Sequence, residues 1–327
     1  MKLIDRIFGI SSEDDFRFCA FELLRKQYEE VGIYRRYVDG IGCEIDRVSD
    51  LLQTPYLPIS FFKECDVISE HFAPQQIFRS SRTSGQRPSS HLVADLSIYD
   101  RSLSEGFIRN FGAPTDFTLL ALLPSYLERD DASLVYMTRR LMEHSGDPLN
   151  GFFLNDHEAL DARIRLLLDS GKRFMLFGVP FALLDLLEKY RYEFGDNILV
   201  ETGGMKGRRR ELVREELHGL LCDGFGVKKV YSEYGMTELL SQAWSNGDGL
   251  YRPVPWMRTI AFDTNDPFHP LPPGQTGVLH VIDLANVHSC SFIATEDIGR
   301  VFADGTFEVL GRIDNSDIRG CNLLAGA

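Results

Sequence analysis

Short apolar runs alternate with amphipathic stretches along the middle of the chain, and this alternation limits the possible folds more than any other feature. Four runs bounded by turn residues predict buried strands, at 117–123, 173–177, 197–200 and 229–231. Between them the spacing of apolar residues predicts helices such as 181–190 and 209–221. Strands that alternate with helices form a largely parallel sheet covered by helices. The fold class predicted for the centre of the chain is therefore α/β.

The two flanking regions differ from this central pattern. Apolar residues between positions 13 and 37 recur at helical spacing, and Ser11 or Ser12 can cap the start of a helix there. After about residue 249 prolines become frequent, and short strands such as 278–284 and 306–310 are predicted. A helical N-terminal segment, an α/β core and a β-rich subdomain are thus expected to follow one another.

The charge and the cysteines of the chain exclude several classes of protein. With 35 Lys and Arg against 48 Asp and Glu, the net charge is −13. A field of this sign repels nucleic-acid backbones and anionic membrane surfaces, so we expect no nucleic-acid partner. The six cysteines include no C-x-x-C pair, which argues against a compact zinc site or a disulfide framework. This cysteine usage fits a reducing cytoplasm, and a cytoplasmic location is predicted.

No part of the sequence predicts export or membrane insertion. The first residues lack the apolar core and cleavage site of a signal peptide. The most apolar stretch, 174–187, is interrupted by Gly178, Pro180 and Asp185, and it is too short to span a bilayer. We therefore expect no membrane span.

The first candidate site is a loop rich in small and hydroxylated residues, which follows Phe78. Its members are Ser80, Ser81, Thr83, Ser84 and Gly85. Backbone N–H groups and hydroxyls of such a loop can surround an anion, and Arg82 and Arg87 add positive charge. The alternative is a flexible polar loop without a ligand. A Walker A motif occurs nowhere in the chain.

The second candidate is a pair of glycines, Gly203 and Gly204, directly after the strand predicted at 197–200. Glycines at the carboxyl end of a parallel strand allow a flat ligand to approach the backbone closely. A tight turn from strand to helix explains the same residues equally well.

The third candidate is a Y-G-x-T-E string that follows the strand predicted at 229–231. Tyr234 can stack on a base, Thr237 can bond a phosphate oxygen, and Glu238 can hold Mg²⁺ through one carboxylate. The alternative is a buried tyrosine with a glutamate at the start of a helix.

The fourth candidate lies near the end of the chain. Asp297 can accept both hydroxyls of a ribose, and Arg312 can reach phosphate or ribose oxygens. Each of the four candidates is weak when taken separately, but their order along the chain is informative.

In their order and spacing the four motifs resemble those of the adenylate-forming (acyl-AMP) enzymes. Within that superfamily the chain is most similar to the bacterial acyl-protein synthetase (LuxE-type) family. The strings that carry the likeness are LALLPSYLER, ETGGMKGRR, SEYGMTELLSQA, SCSFIATEDIG and NSDIRGCNLL. The similarity extends from about residue 78 to 324. It implies the large N-terminal domain of the adenylate-forming fold, with mixed and parallel sheets, helices and a β-rich subdomain.

The resemblance implies ATP and Mg²⁺ as cofactors and a role for each motif. The residues implied to bind ATP are Ser80, Ser81, Thr83, Ser84, Gly85 and Arg87 at the phosphates, Gly203, Gly204 and Tyr234 at the adenine, Asp297 at the ribose, and Arg312 near a hinge. Thr237 is implied to contact the α-phosphate, and Glu238 to bind Mg²⁺. The phosphate loop departs from the usual pattern, because Arg82 replaces a glycine and Arg87-Pro88 replaces a Pro-Lys pair.

The end of the chain is a second departure from most of the superfamily. Most members continue past the hinge with a small domain that carries a catalytic lysine, whereas this sequence ends seven residues after Gly320. Acyl-protein synthetases are similarly short, and a cysteine near their C-terminus accepts the acyl group. Cys321 lies in a comparable place, so the resemblance implies a catalytic role for it. The alternative for Cys321 is a small apolar residue at the end of a strand.

The predicted division of the chain follows from these motifs. It comprises a helical N-terminal segment at 1–75, an α/β nucleotide-binding core at 76–250, a β-rich subdomain at 251–311, and a hinge with a C-terminal tail at 312–327. The small lysine-bearing domain is expected to be absent.

The resemblance implies ATP-dependent activation of a carboxylic acid, followed by transfer of the acyl group to a thiol. The thiol could belong to Cys321, to a carrier protein or to coenzyme A, and a partner acyl reductase could receive the acyl group. Two apolar segments, 119–123 and 174–179, are candidate walls for an apolar acyl chain. The alternatives are a nucleotide- or acyl-binding subunit with reduced catalysis, and an enzyme of the acyl- or aryl-CoA ligase type.

Overall fold

The computed structural model describes residues 2–80, 87–123, 131–203 and 212–313. The helices of these residues are α1 (Leu3–Phe8), α2 (Glu13–Glu30), α3 (Gly32–Gly40), α4 (Phe61–Glu64), α5 (Leu96–Phe111), α6 (Ser133–Ser145), α7 (His157–Asp169), α8 (Pro180–Leu187) and α9 (Arg214–Phe225). The first strands are β1 (Leu57–Pro58), β2 (Gln76–Arg79), β3 (Ser90–Val93), β4 (Thr118–Leu122), β5 (Gly151–Phe152), β6 (Phe174–Gly178) and β7 (Ile198–Thr202). They are followed by β8 (Tyr231–Tyr234), β9 (Ala243–Ser245), β10 (Tyr251–Pro253), β11 (Met257–Phe262), β12 (Thr276–Asp283), β13 (Phe292–Val301) and β14 (Phe307–Arg312).

A large mixed sheet forms the centre of the fold. Along the part of the chain that is described, its order is β11-β12-β13-β14-β10-β9-β8-β7-β6-β4-β5, and β1 pairs with β13. The neighbouring strands β5, β4, β6, β7 and β8 are parallel to one another, and β9 is antiparallel to β8. A separate hairpin is formed by β2 and β3. The predicted α/β class, with mixed and parallel strands, is confirmed.

The four apolar runs of the sequence all become strands of the parallel half. In β4, β6 and β7 every residue is buried, as expected for central strands covered on both faces. The helices α5 to α9 alternate with these strands along the chain. The apolar composition of the runs therefore follows from their place in the core.

Two predicted helices differ from the structure at their ends. Ser12 caps α2 by accepting a hydrogen bond from the backbone N–H of Asp15 at 3.2 Å. The helix stops at Glu30, because Val31 is extended and Gly32 starts a second helix. The helix predicted from residue 209 begins at Arg214, and Val213 before it is extended. The apolar periodicity of the sequence continues across both of these breaks, so it does not predict where either helix ends or begins.

The β-rich region continues the same sheet. The strands predicted at 278–284 and 306–310 are β12 and β14, which flank β13 in antiparallel pairing. Since β9 pairs with β10, the sheet crosses residue 250 without a break. The division into the four predicted segments stays a prediction.

The N-terminal helices are fastened to this region by a buried glutamine. The side chain of Gln27, in α2, donates to the carbonyl oxygen of Asn286 at 2.7 Å and to the hydroxyl of Ser291 at 3.0 Å. Its own oxygen accepts a bond from the backbone N–H of Ser291 at 2.9 Å. One side chain thus pairs with the carbonyl group of Asn286 and with the backbone N–H of Ser291, both in the β12–β13 connection.

Gln27→Ala should lower the free energy of unfolding by about 2–3 kcal/mol, because it leaves buried backbone groups without partners. Denaturant titration measures this loss. Gln275→Ala, at an exposed turn position, is the matched control and should change the free energy by less than about 0.5 kcal/mol. Equal stability of the two variants would contradict the fastening role of Gln27.

Candidate active site

A cavity of about 600 Å³ opens at the carboxyl ends of β7 and β8. Its rim brings together residues from distant parts of the chain. Six residues that the motifs singled out line it, namely Ser80, Arg87, Gly203, Thr237, Glu238 and Arg312. Tyr234 and Asp297 are the chain neighbours of two lining residues, Gly235 and Glu296. The other candidates, Ser81, Thr83, Ser84, Gly85, Gly204 and Cys321, lie outside the described residues.

The turn that carries Thr237 and Glu238 is held by one buried carboxylate. Asp283, the last residue of β12, accepts hydrogen bonds from the backbone N–H groups of Leu240 at 2.8 Å and Ser241 at 3.0 Å. It also accepts the hydroxyl of Ser241 at 2.6 Å and the backbone N–H of Ala285 at 3.1 Å. Burial raises the pKa of Asp283, and these bonds oppose that rise. The turn is therefore anchored to the β-rich half of the sheet.

Two further side chains hold the carbonyl groups of the same turn. Nδ1 of His91 lies 2.9 Å from the carbonyl oxygen of Thr237, and Nδ2 of Asn286 donates to the carbonyl oxygen of Glu238 at 3.0 Å. Burial lowers the pKa of His91 to about 4, so the ring is neutral at pH 7. Since a carbonyl oxygen only accepts, the single ring proton of His91 lies on Nδ1.

Glu238 is a buried carboxylate on the wall of the cavity. Burial raises its pKa, while the Ser89 hydroxyl and the Arg312 guanidinium act in the opposite direction. A cation in the cavity would favour the charged form of Glu238. Among the residues with described positions, no three His, Cys, Asp or Glu side chains cluster as metal ligands. Mg²⁺ in proteins binds through one or two carboxylates together with phosphate oxygens and waters, and its binding by Glu238 stays a prediction.

Among the described residues, four cationic side chains line the cavity, beside the three carboxyl groups of Glu233, Glu238 and Glu296. Lys63, Arg79, Arg87 and Arg312 all line it. Arg312 also lies 3.4 Å from Glu296 and 3.8 Å from Asp297, measured from its nitrogens to their carboxylate oxygens. Arg79 is likewise paired, with Asp131, so the cations offset the carboxylates of the lining, and they can contact an anionic ligand at short range.

Tyr234 and Asp297 form a pair in the structure. The Tyr234 hydroxyl donates to the Asp297 carboxylate at 2.8 Å. The Tyr234 ring packs against Phe307 and Tyr251, with centroids 5.1 and 5.7 Å away. Burial raises the pKa of Asp297, and Tyr234 and Arg312 act in the opposite direction. The hydroxyl of Tyr234 therefore orients the carboxylate predicted to bind ribose, and stacking of its ring on adenine stays a prediction.

The predicted acyl walls are wrong for this cavity. The segments 119–123 and 174–179 are fully buried in the centre of the sheet, where their side chains pack against helices on both faces. The described lining on that side comes instead from Tyr99 of α5 and from the start of α6. A fully apolar run indicates a strand that is covered on both faces, whereas the described cavity lining includes the polar residues Thr202 and Glu233 near the ends of β7 and β8.

Several residues of the site carry no motif in the sequence. Lys63, Ser89, His91, Asp283 and Asn286 are separated by up to 223 positions, and only folding brings them to the same turn. Glu233, next to Tyr234, also lines the cavity. Its place could have been found from the period of two in β8, which puts residues 231 and 233 on one face and residues 232 and 234 on the other.

No protein-family model matches the chain. By sequence the chain is similar to a long-chain-fatty-acid–luciferin-component ligase of Vibrio harveyi, with 25% identity over 89% of this chain and 82% of that protein. This relative agrees with the predicted resemblance to the acyl-protein synthetase type.

The fold is similar to that of several solved structures. An open conformation of 2-hydroxyisobutyryl-CoA ligase, in complex with 2-HIB-AMP and CoA, matches 94% of this chain and 72% of its own, with a TM-score of 0.66 and 13% identity. ATP-bound MatB from Rhodopseudomonas palustris matches 72% of this chain with a TM-score of 0.54 and 19% identity. This chain covers about half, 47%, of MatB. The fold is that of the adenylate-forming enzymes, which confirms the predicted resemblance.

None of the helices in the described residues has the length and apolar character needed to cross a membrane.

Asp283→Ala should lower the free energy of unfolding by about 3 kcal/mol or more, because it leaves several buried donors without an acceptor. Chemical denaturation with two spectroscopic probes measures this change. Asp223→Ala, at an exposed position of α9, is the control and should remain within about 0.5 kcal/mol of the unchanged protein. A small effect of Asp283→Ala would show that the turn is held by other contacts.

Proposed function

We propose that this protein activates a carboxylic acid with ATP, forming an acyl-adenylate and pyrophosphate, and then transfers the acyl group to a thiol. The observation that carries the proposal is the buried carboxylate of Glu238, which shares one cavity with Arg87, Arg312 and the end of β7. The adenylate-forming fold and the similarity to a long-chain-fatty-acid ligase support it.

The first step is a displacement at the α-phosphorus of ATP. A carboxylate oxygen of the acid attacks this phosphorus, and the bond to the β-phosphate oxygen breaks as pyrophosphate leaves. Arg87 and Arg312 on the cavity wall would stabilise the charge that develops on the phosphate oxygens, and the hydroxyl of Thr237 would donate to the α-phosphate. Mg²⁺ held by Glu238 would supply further positive charge at the phosphates.

The remaining contacts to the nucleotide are proposed for the other motif residues. The carboxylate of Asp297, oriented by Tyr234, would accept the hydroxyls of the ribose. Gly203 at the end of β7 has a positive φ of 73°, a conformation that glycine adopts readily, and it would leave the backbone open to the adenine. Ser81, Thr83, Ser84 and Gly85, which lie outside the described residues, are proposed to bind the phosphates.

The second step is thioester formation. A thiolate attacks the acyl carbon, the bond to the AMP oxygen breaks, and AMP leaves. Cys321 is one candidate for this thiol, and a carrier-protein thiol or coenzyme A are the others. A partner acyl reductase would then receive the acyl group. The described cysteines are all free, which fits the reducing cytoplasm proposed as the location.

Glu238→Ala should reduce acid-dependent ATP–pyrophosphate exchange by about 100-fold or more, because the carboxylate that holds the metal is lost. The exchange rate is measured across a panel of acids at saturating Mg²⁺. Glu215→Ala, an exposed glutamate of α9, serves as the control and should retain full exchange. Absence of exchange with every acid, together with calorimetric binding of ATP, would support the non-catalytic binding subunit instead.

Cys321→Ala should leave activation intact and abolish a covalent acyl-protein thioester if Cys321 is the acceptor. Hydroxylamine trapping reports the activated acid, and a radiolabelled acyl group that survives denaturation reports the thioester. Cys222→Ala, in α9, is the control and should retain the thioester. A labelled Cys321→Ala protein would exclude Cys321 as the acceptor.

A further inference from the structure

One wall of the cavity differs in character from the nucleotide side. In β8 the ring of Tyr231 contacts Phe111 of α5, with centroids 5.3 Å apart, so this face of the strand points towards α5. Glu233 lies on the same face, and Tyr234 lies on the opposite face with Asp297. Glu233 therefore belongs to the α5 side of the cavity, away from the residues proposed to bind the ribose.

The α5 side is largely apolar around Glu233. It is lined by Tyr99 of α5 and by Ala132, Leu134 and Met137 at the start of α6. The polar residues of this wall are Ser133, at the start of α6, together with Gln242 and Thr202, of which Thr202 bonds Glu233. A carbon chain can lie against such a wall, with a polar group at one place along it.

Only one oxygen of Glu233 has a described partner. The hydroxyl of Thr202 donates to Oε2 at 2.5 Å. The other oxygen, Oε1, lies beside Gly235, where a Cβ atom would collide with it. Because residue 235 is glycine, that side of Oε1 remains uncovered. Within the described part of the chain, Glu233 forms no ion pair with a cation.

The environment of Glu233 makes this oxygen costly to leave without a partner. Burial raises the pKa of Glu233 to about 7, and the neighbouring Glu201 adds to the rise while Thr202 opposes it. Glu233 is partly buried and lines the cavity, so water can reach it there, and a ligand chain that covered Oε1 without offering a donor would remove the hydrogen bonds of that water. A plain methylene chain beside Glu233 would offer no replacement.

We propose that the acid activated here carries a hydrogen-bond donor on its carbon chain, a hydroxyl or an amine, which binds Oε1 of Glu233. This inference rests on the proposed function and specifies its substrate class: an apolar acyl chain with one donor group. Glu233 then selects the substrate by contact with it, whereas Thr202 orients the carboxyl group. The preference arises because a bound acid without the donor would cover Oε1, displace its water and leave it unpaired.

The test compares acids of equal chain length that differ in one group. Pyrophosphate exchange is measured for octanoic acid, for its 2-hydroxy, 3-hydroxy and ω-hydroxy derivatives, and for the ω-amino derivative. In the unchanged protein at least one substituted acid should exceed octanoic acid in kcat/KM by about tenfold or more. The hydroxy and amino arms identify which donor is preferred.

Three variants make the result specific. Glu233→Leu should remove the preference and bring the ratio of kcat/KM values to about one or below, and Glu233→Gln should retain part of it through its amide oxygen. Glu215→Ala is the control and should keep the full preference. Thermal unfolding verifies that each variant folds.

Two outcomes would overturn the inference while leaving the proposed function intact. One is exchange in which octanoic acid equals or exceeds every substituted acid. The other is an equal loss for all acids in Glu233→Leu with a raised KM for ATP, which would place Glu233 at the nucleotide. If no acid supports exchange, the proposed function fails. Calorimetric binding of the same acids to the unchanged protein and to Glu233→Leu then decides the donor preference by itself.

Discussion

The candidate site depends on the carboxylate of Asp283. It lies at the end of β12, in the antiparallel half of the sheet, and binds the turn that follows β8, the last of the parallel strands. Its four close donors are buried, so the bond geometry is not open to competition from water. The parallel half of the sheet supplies β8, and Asp283 of the antiparallel half fixes the position of the turn that follows β8. His91 and Asn286 bind carbonyl groups of the same turn, so the three side chains together fix the position of Glu238.

The change of strand direction at β8 creates the cavity. The carboxyl ends of β7 and β8 open at one edge, while β9 returns antiparallel and carries the chain away from it. Ligands of open α/β sheets bind outside the carboxyl ends of the strands, and here the β-rich region supplies Glu296 and Arg312 to the same opening. The two faces of β8 then divide the cavity, with Tyr234 towards Asp297 and Glu233 towards α5.

The placement of Glu233 and Tyr234 on opposite faces of β8 bears on how the acidic chain would hold the proposed anionic ligand near the carboxyl group of Glu233. The net charge of −13 acts at long range, whereas Arg87 and Arg312 act over a few ångströms in a partly enclosed space. Glu233 lies on the other face of β8, bonded to Thr202, with apolar side chains of α5 and α6 in the same wall. In the proposed function Arg87 and Arg312 would serve the phosphates, and the wall around Glu233 would serve the acyl chain.

The sequence by itself determined the fold class and the motifs of the site, because both are local patterns. Runs such as 173–177 are apolar throughout since central strands are covered on both faces, and the Y-G-x-T-E string keeps Tyr234, Thr237 and Glu238 within five positions. Only the tertiary structure decided the supports of that string. Asp283, His91 and Asn286 carry no signal in their own neighbourhoods, because their partners lie 40 or more positions away. It also decided that β4 and β6 form the core instead of the cavity wall, and that Glu233 faces the cavity, because the facing of a side chain depends on what packs against its strand.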